Sequence, residues 1–258
     1  MWRLGVVGSP IAHSRSPQLH EAGLAALGLQ GTSTRFKVTP EGAKDFVTRM
    51  GRDLDAVSVT MPLKSVLANY CSWRDASAQR LGVINSLRFH EGQLEGRATD
   101  GPGLLNALYG EWGFDVAGRR VLIEGSGGSA VALVDSLVHA GAEHVTIVAR
   151  NDEARNSIIA SYGGVVSDEV DDRHLDLVVT TTPAPDRAAP RHYAGVGATT
   201  CAVDITYNEL VSPWMSHYAS IDCRVMNGLP MLAYQAALQM SWWWSQPLDG
   251  AALLAVLQ

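Results

Sequence analysis

The sequence predicts an α/β protein of two domains, and three observations carry that prediction. Short apolar, β-branched runs alternate with helix-length stretches along the chain, the pattern that builds parallel sheets covered by helices. A glycine-rich turn, Gly125-x-Gly127-x-x-Ala130, joins one such strand to one such helix near mid-chain. A length of 258 residues holds one large or two ordinary domains with a sizeable core.

Strands are expected in order at 3–7, 33–38, 55–60, 85–89, 119–124, 144–149, 175–180, 200–205 and 222–226. Between them helices are expected at 17–27, 40–50, 64–69, 102–112, 128–140, 152–161 and 230–242. The first strand is Leu4 to Val7, and a turn of Gly, two Pro and several hydroxyls follows it. Around the glycine turn, Val121-Leu122-Ile123 makes the strand, Val131 to Val138 the apolar-periodic helix, Gly141 its stop, and Val145 to Val148 the next strand. That context is what a dinucleotide fingerprint requires: glycines permit the tight turn and let backbone amides approach a pyrophosphate at a helix N-terminus. The second half therefore reads as a doubly wound domain of Rossmann type, and the first as an α/β domain with a mixed, mainly parallel sheet. No repeat, low-complexity tract or linker marks a boundary.

Composition narrows the function. A net charge of -6 and a pI near 5.7 argue against a nucleic-acid partner, which needs a basic face, so anions must be met by local groups. No charged and apolar leader precedes the first strand and no apolar run approaches membrane-span length, so neither export nor a membrane partner is expected. Cys71, Cys201 and Cys223 are odd in number and lack ligand spacing, as expected of small buried thiols in a reducing cytoplasm. The histidines are scattered, and no metal is expected.

Five separated segments carry more. Gly8-Ser9-Pro10-Ile11-Ala12-His13-Ser14-Arg15-Ser16-Pro17 holds small hydroxyls at a strand end, a grip for a small anion, although Ser and Pro clusters also mark ordinary loops. Val57-Ser58-Val59-Thr60-Met61-Pro62-Leu63-Lys64 ends a strand with a hydroxyl, a proline and a lysine; Gly82-Val83-Ile84-Asn85-Ser86, Gly96-Arg97-Ala98-Thr99-Asp100-Gly101 and Gly228-Leu229-Pro230-Met231-Leu232-Ala233-Tyr234-Gln235 follow. A lysine set against a carboxylate can pass a proton to or from an alcohol oxygen. Taken singly, Lys64 is an ordinary surface lysine, Asp100 a helix cap for 102–112 and Gln235 a solvated helix position. At the end of the strand after the fingerprint, an acidic residue would accept the ribose hydroxyls of NAD; Arg150 stands there, with Arg155 one turn on, and favours NADP.

In this order and spacing the five segments resemble the shikimate dehydrogenase family over nearly the whole chain. The resemblance implies NADP-dependent, reversible reduction of 3-dehydroshikimate to shikimate, with quinate or aminoshikimate dehydrogenase, or a non-catalytic shikimate-binding regulator, as alternatives. It implies that Lys64 and Asp100 are catalytic, that Ser14 and Ser16 hold the substrate carboxylate with Tyr207 near it, and that Thr60, Asn85, Asp100 and Gln235 hold the hydroxyls. For the cofactor it implies Gly125, Ser126, Gly127, Gly128, Ser129, Ala149, Arg150 and Asn151, with Ile205 and Gly228 facing the nicotinamide. The implied domains are a substrate domain, 1–99 and 228–258, around an NADP-binding domain, 100–227, meeting at a cleft that closes on binding. A cytoplasmic monomer or homodimer is expected. Members that accept quinate tend to carry Thr at the second serine and an acidic residue in place of Arg150. Departures are Ser58 and Ala98, where the family usually has Asn, Thr180-Thr181-Thr182 for its Asn-Ala-Thr, and Ala149 and Asn151 beside the kept arginine. Ser58 is expected to lose a contact to substrate or Lys64, or to relay it through water. Glu124 is unexpected, since an unopposed carboxylate facing the phosphate loop would weaken binding.

Overall fold

The computed structural model describes residues 1–183 and 190–258. Its first half contains β1 (Trp2–Gly8), α1 (Ser16–Ala26), β2 (Gly31–Lys37), α2 (Ala43–Val47), β3 (Ala56–Val59), α3 (Lys64–Ala68), β4 (Trp73–Arg74), α4 (Ala76–Leu81), β5 (Ser86–His90), β6 (Gln93–Arg97) and α5 (Asp100–Trp112). Its second half contains β7 (Arg120–Glu124), α6 (Gly128–His139), β8 (His144–Val148), α7 (Asp152–Tyr162), β9 (Val166–Ser167), β10 (Leu177–Thr180), β11 (Cys201–Asp204), α8 (Pro213–Ala219), β12 (Arg224–Met226), α9 (Leu229–Trp244) and α10 (Gly250–Ala255). Two compact units result, Met1–Gly103 with Leu232–Gln258, and Leu104–Met231. These divisions fall inside α5 and α9, a turn beyond the expected 99 and 227, because each helix is continuous through its glycine- or proline-containing first turn.

The first unit has one sheet in the order β2-β1-β3-β5-β6-β4. It is mixed as expected: β1 pairs parallel with β2 and β3, and β4 with β6, whereas β5 runs antiparallel to both β3 and β6. In the second unit the order is β12-β11-β10-β7-β8-β9, every described pair parallel. This is the doubly wound order, whose direction reverses between β7 and β10. The buried run Val121-Leu122-Ile123 on β7, fully inaccessible, is what a strand covered on both faces needs.

Three strands and three helices depart from the sequence expectation. β6 reads Gln-Leu-Glu-Gly-Arg and has no β-branched residue; it forms because Glu91 and Gly92, both at positive φ, make the two-residue turn of a β5-β6 hairpin. β4 and β9 are two-residue edges with no period to detect. Helices α4, α8 and α10 are short, and their signal lies in their caps: the Asp75, Ser212 and Asp249 side chains accept from Ala78, Met215 and Ala251 N–H. The expected helix 40–50 is instead a 3-10 turn, Pro40–Gly42, running into α2.

Each unit has its own apolar core, and that of the second adds Trp214 and Tyr218 to its aliphatic residues. That of the first unit gathers Val7, Phe46, Val57, Val59, Leu63, Leu67, Ile84, Leu87 and Ala98, each large side chain worth about 1.5–3 kcal/mol of burial. The Trp242-Trp243-Trp244 run at the end of α9 packs three ways: Trp242 under the Arg88 and Arg97 guanidinium groups, Trp243 edge-on to His20, and Trp244 against Trp2. His20 on α1 is fully buried, with Nδ1 2.8 Å from Ser33 Oγ and Nε2 2.9 Å from Ser58 Oγ. Burial holds its pKa down at about 3.

That burial links stability to pH. The unfolded chain binds a proton at His20 near pH 6.5, the folded chain only near 3. The contribution is therefore complete above about pH 6.5 and is lost as pH falls, at about 1.4 kcal/mol per unit. Urea unfolding is expected to show the wild type losing about 2 kcal/mol more than a His20→Gln variant between pH 7 and 5. Equal pH dependence would show that the folded protein accepts the proton.

Candidate active site

Strand direction assembles the site in the first unit. Because β1 and β3 are parallel, the loops after them leave the same edge of the sheet, stitched by Ser9 N–H to Met61 O and Thr60 N–H to Val7 O, both 2.9 Å. Gly8 permits this approach; a Cβ there would run into the Thr60 methyl group. β5 enters at that edge, with Val59 N–H donating to Asn85 O at 2.8 Å, and β6 leaves at it, with Asn85 N–H donating to Arg97 O at 2.9 Å. Thr60, Lys64, Asn85, Thr99 and Asp100 thus share one edge.

Their side chains converge. Lys64 Nζ donates to Asp100 Oδ2 at 2.5 Å, and the two side chains remain 22% and 16% exposed, enough for a ligand to reach. Asn85 Nδ2 donates to Asp100 Oδ1 at 2.8 Å and lies 3.0 Å from Gln235 Oε1. Asp100 is the first residue of α5, and its carboxylate is engaged by Lys64 and Asn85. α5 and α9 touch where Gly103 meets Gln235, and a Cβ on Gly103 would collide with that of Gln235. Ser14 Oγ and Ser16 Oγ lie 3.2 Å apart, Ser16 at the buried start of α1.

The second unit brings together the residues of the glycine turn. Gly125 takes φ +123°, and any Cβ there would strike Thr181 Oγ1, so the turn needs glycine. Gly127 and Gly128 face open space, and α6 starts without a side-chain cap, whereas α7 is capped by Asn151 Oδ1. Among the described residues no side chain caps α6, so its first amides lie at the point where strand order reverses without a side-chain acceptor, a setting suited to a diphosphate. Ser126 and Ser129 flank them; Ala149, exposed Arg150 and Asn151 follow β8. Gly228 is buried hard against Ile205 O, where a side chain has no room, and Tyr207 lies in the same loop after β11.

One expectation is corrected and two are refined. Glu124 is not an unopposed charge: its carboxylate accepts from Tyr193 OH at 2.8 Å and Trp214 Nε1 at 2.7 Å, anchored within its own unit. Burial and that carboxylate push the Tyr193 hydroxyl pKa well up, so the phenol stays a donor. Arg155 is committed to Asp152 at 2.7 Å and Asp168 at 3.2 Å, leaving Arg150 as the cation after β8. Ser58 keeps no contact with Lys64, one of the outcomes expected of it; its Oγ is 2.6 Å from Gln239 Oε1 and 2.9 Å from His20 Nε2.

Sequence reasoning missed Arg35, whose Nε and guanidinium terminus hold Ser14 O at 3.0 and 2.7 Å and bring a cation to the two serines. It missed Thr99, whose N–H donates to Asn85 Oδ1 at 2.7 Å, and Gln239. Gln239 had a signal: with Gln235 it makes a four-residue polar step on an otherwise apolar helix. Among the described residues no cluster of His, Cys, Asp or Glu has metal-site geometry, and no helix is long and apolar enough to cross a membrane.

Residues 6–87 match the family model for the shikimate dehydrogenase substrate binding domain. Among relatives, the NADP(+) shikimate dehydrogenase of Exiguobacterium sp. is 35% identical over 93% of this chain and 92% of its own. The shikimate 5-dehydrogenase of Thermus thermophilus, solved with shikimate, superposes with a TM-score of 0.86 at 29% identity, over 99% of this chain and 97% of that one. A 5-ketofructose reductase of Gluconobacter sp. superposes as well, with a TM-score of 0.88 at 25% identity over the same shares. With the relative spanning almost the full length of both sequences, the chain belongs to the shikimate dehydrogenase family.

Proposed function

We propose that this protein is an NADP-dependent shikimate dehydrogenase that reduces the 3-keto group of 3-dehydroshikimate and reverses the reaction. One observation carries the mechanism: Lys64 Nζ sits 2.5 Å from Asp100 Oδ2 at the sheet edge that also presents Thr60 and Asn85, with Gln235 of α9 against Asn85. NADPH supplies the hydride. In the reductive direction the Lys64 ammonium gives its proton to the oxygen that develops charge, and in the oxidative direction the Lys64 amine removes the hydroxyl proton. Asp100 balances the ammonium and orients Nζ, while Asn85 holds the other carboxylate oxygen. Ser14 and Ser16 take the substrate carboxylate, with Arg35 as the local cation that an acidic chain otherwise lacks and Tyr207 assigned to the same end. Thr60 and Gln235 take ring hydroxyls, and Asn85, whose NH2 group faces Asp100 and Gln235, offers them its carbonyl oxygen.

The cofactor reading rests on fit. Uncapped α6 and side-chain-free Gly127 and Gly128 would hold the diphosphate, with Ser126 and Ser129 as hydroxyl donors. Arg150 would hold the 2′-phosphate beside Ala149 and Asn151, and the backbone surface at Ile205 and Gly228 would lie along the nicotinamide. The same reading places the chain in the cytoplasm as a monomer or homodimer.

Removing either member of the dyad is expected to lower kcat by about 10² to 10⁴-fold, with shikimate still bound. The Lys64→Ala and Asp100→Asn effects should not add, and near-normal kcat in Lys64→Ala would overturn the assignment. Arg150→Ala is expected to raise KM for NADP by roughly tenfold or more, the loss of a charge-assisted contact, and to leave NAD turnover little changed. Equal use of NAD and NADP by the unmodified protein would count against that role.

Substrate choice separates the remaining readings. Quinate carries a tertiary hydroxyl at the carbon bearing the carboxylate, and burying it unpaired beside Ser14 and Ser16 costs about 1–3 kcal/mol. In absorbance assays at 340 nm, kcat/KM for shikimate is expected to exceed that for quinate by at least about tenfold. Preference for quinate, or turnover of 5-ketofructose without shikimate, would refute the substrate assignment.

A further inference from the structure

Behind the dyad lies a buried chain of polar side chains that runs from Asn85 and Gln235 to residues with no part in the reaction itself, Gln239, Ser58 and His20. His20, Ser58, Asn85, Thr99, Gln235 and Gln239 are 0%, 5%, 3%, 5%, 6% and 1% exposed, so each donor and acceptor must find a partner inside. One backbone group sets the whole pattern. Thr99 N–H can only donate, and it lies 2.7 Å from Asn85 Oδ1, which fixes that atom as the carbonyl oxygen and Nδ2 as the donor. Asn85 Nδ2 then faces Asp100 Oδ1, Gln235 Oε1 and Thr99 Oγ1, and an NH2 group of Gln235 has no place against it. Gln235 Oε1 is therefore an acceptor, and its second donor is Gln239 Nε2, which also approaches Asn85 O at 3.2 Å. Gln239 Oε1 must in turn accept, and Ser58 Oγ–H supplies the proton at 2.6 Å. With its only hydrogen spent, Ser58 Oγ must accept from His20 Nε2–H at 2.9 Å, leaving His20 Nδ1 to accept from Ser33 Oγ at 2.8 Å.

We propose that Ser58, His20 and Gln239 are positioning residues, a one-directional hydrogen-bond relay that turns the Gln235 carbonyl inward and its amide NH2 group outward to the ligand. The inference rests on the reading of Gln235 as a substrate-binding group. Gln235 Nε2 gives one hydrogen to Leu232 O at 3.0 Å and keeps the other for a ligand oxygen. A flipped Gln235 would set its NH2 against the NH2 groups of Asn85 and Gln239 and offer substrate only an acceptor. Without Gln239, one of the two donors that forbid the flip is gone. Without Ser58 or the Nε2–H of His20, Gln239 loses the contact that determines its own orientation. The relay thus reaches the substrate through Gln235, and it also steadies Asn85, which holds Asp100.

A double-mutant cycle separates this role from general support of the fold. Gln239→Leu is expected to raise KM for shikimate about tenfold, the effect of one buried hydrogen bond, with KM for NADP unchanged and kcat lowered less than KM is raised. In a Gln235→Ala background the same substitution should change KM for shikimate by less than about twofold. Ser58→Ala, a smaller change, should follow the same pattern if Gln239→Leu does not fold. Full-sized effects in both backgrounds, or an unchanged KM in the single variants, would overturn the relay. Nitrogen-15 NMR of the unmodified protein tests direction without any assay: His20 should be neutral with its proton on Nε2. A proton on Nδ1 would overturn the relay whatever the kinetics. The Nε2–H form in a protein that fails to turn over shikimate would uphold the relay and refute the substrate reading.

Discussion

The 2.7 Å bond from Thr99 N–H to Asn85 Oδ1 is the constraint on which the rest of the site depends. It comes from strand pairing, because the β5-β6 hairpin brings Thr99 alongside Asn85. A buried amide that has lost one partner is worse than an apolar group of the same shape, so one fixed donor propagates its choice through every amide it reaches. The dyad inherits this order: Asp100 is gripped from one side by Asn85 and from the other by Lys64. Both members stay partly exposed, the lysine a little more.

Division of the chain into two units assigns the chemistry to different kinds of structure. The first supplies side chains at the ends of strands, where parallel and antiparallel pairs converge on one edge. The second supplies backbone: uncapped amides of α6, a Gly125 that tolerates no side chain, and a Gly228 pressed on Ile205. Glu124 shows how an ill-suited charge is tolerated beside such a loop. Two neutral donors, Tyr193 and Trp214, hold it to the side and spread its charge.

Much of this was legible in the sequence, and the reasons are local. Gly125-x-Gly127-x-x-Ala130 between a strand and a helix declared the doubly wound order, and the strand-end motifs placed Lys64, Asn85 and Asp100. What escaped lacked a local signal or was overruled by tertiary contacts. β6 has no strand period and exists because a Glu-Gly turn folds it onto β5. That Ser58 would lose a contact was legible, but not what it gains: strand position turns it toward His20 on α1 and Gln239 on α9, partners far away in sequence. Arg155 stood one turn on from Arg150 in the reading that favoured NADP, yet it pairs with acidic residues on its own helix and in the loop after β9. Arg35, a long way from the serines in sequence, reaches them only because β2 lies beside β1.

A crystal structure of the protein with shikimate bound would test the central claim most directly, because it reads every assigned contact at once. The account expects the carboxylate within hydrogen-bond distance of both Ser14 Oγ and Ser16 Oγ, the 3-hydroxyl on Lys64 Nζ, and Gln235 Nε2 on a ring oxygen. Shikimate bound with its carboxylate at Lys64, or bound without touching the Lys64–Asp100 pair, would contradict it.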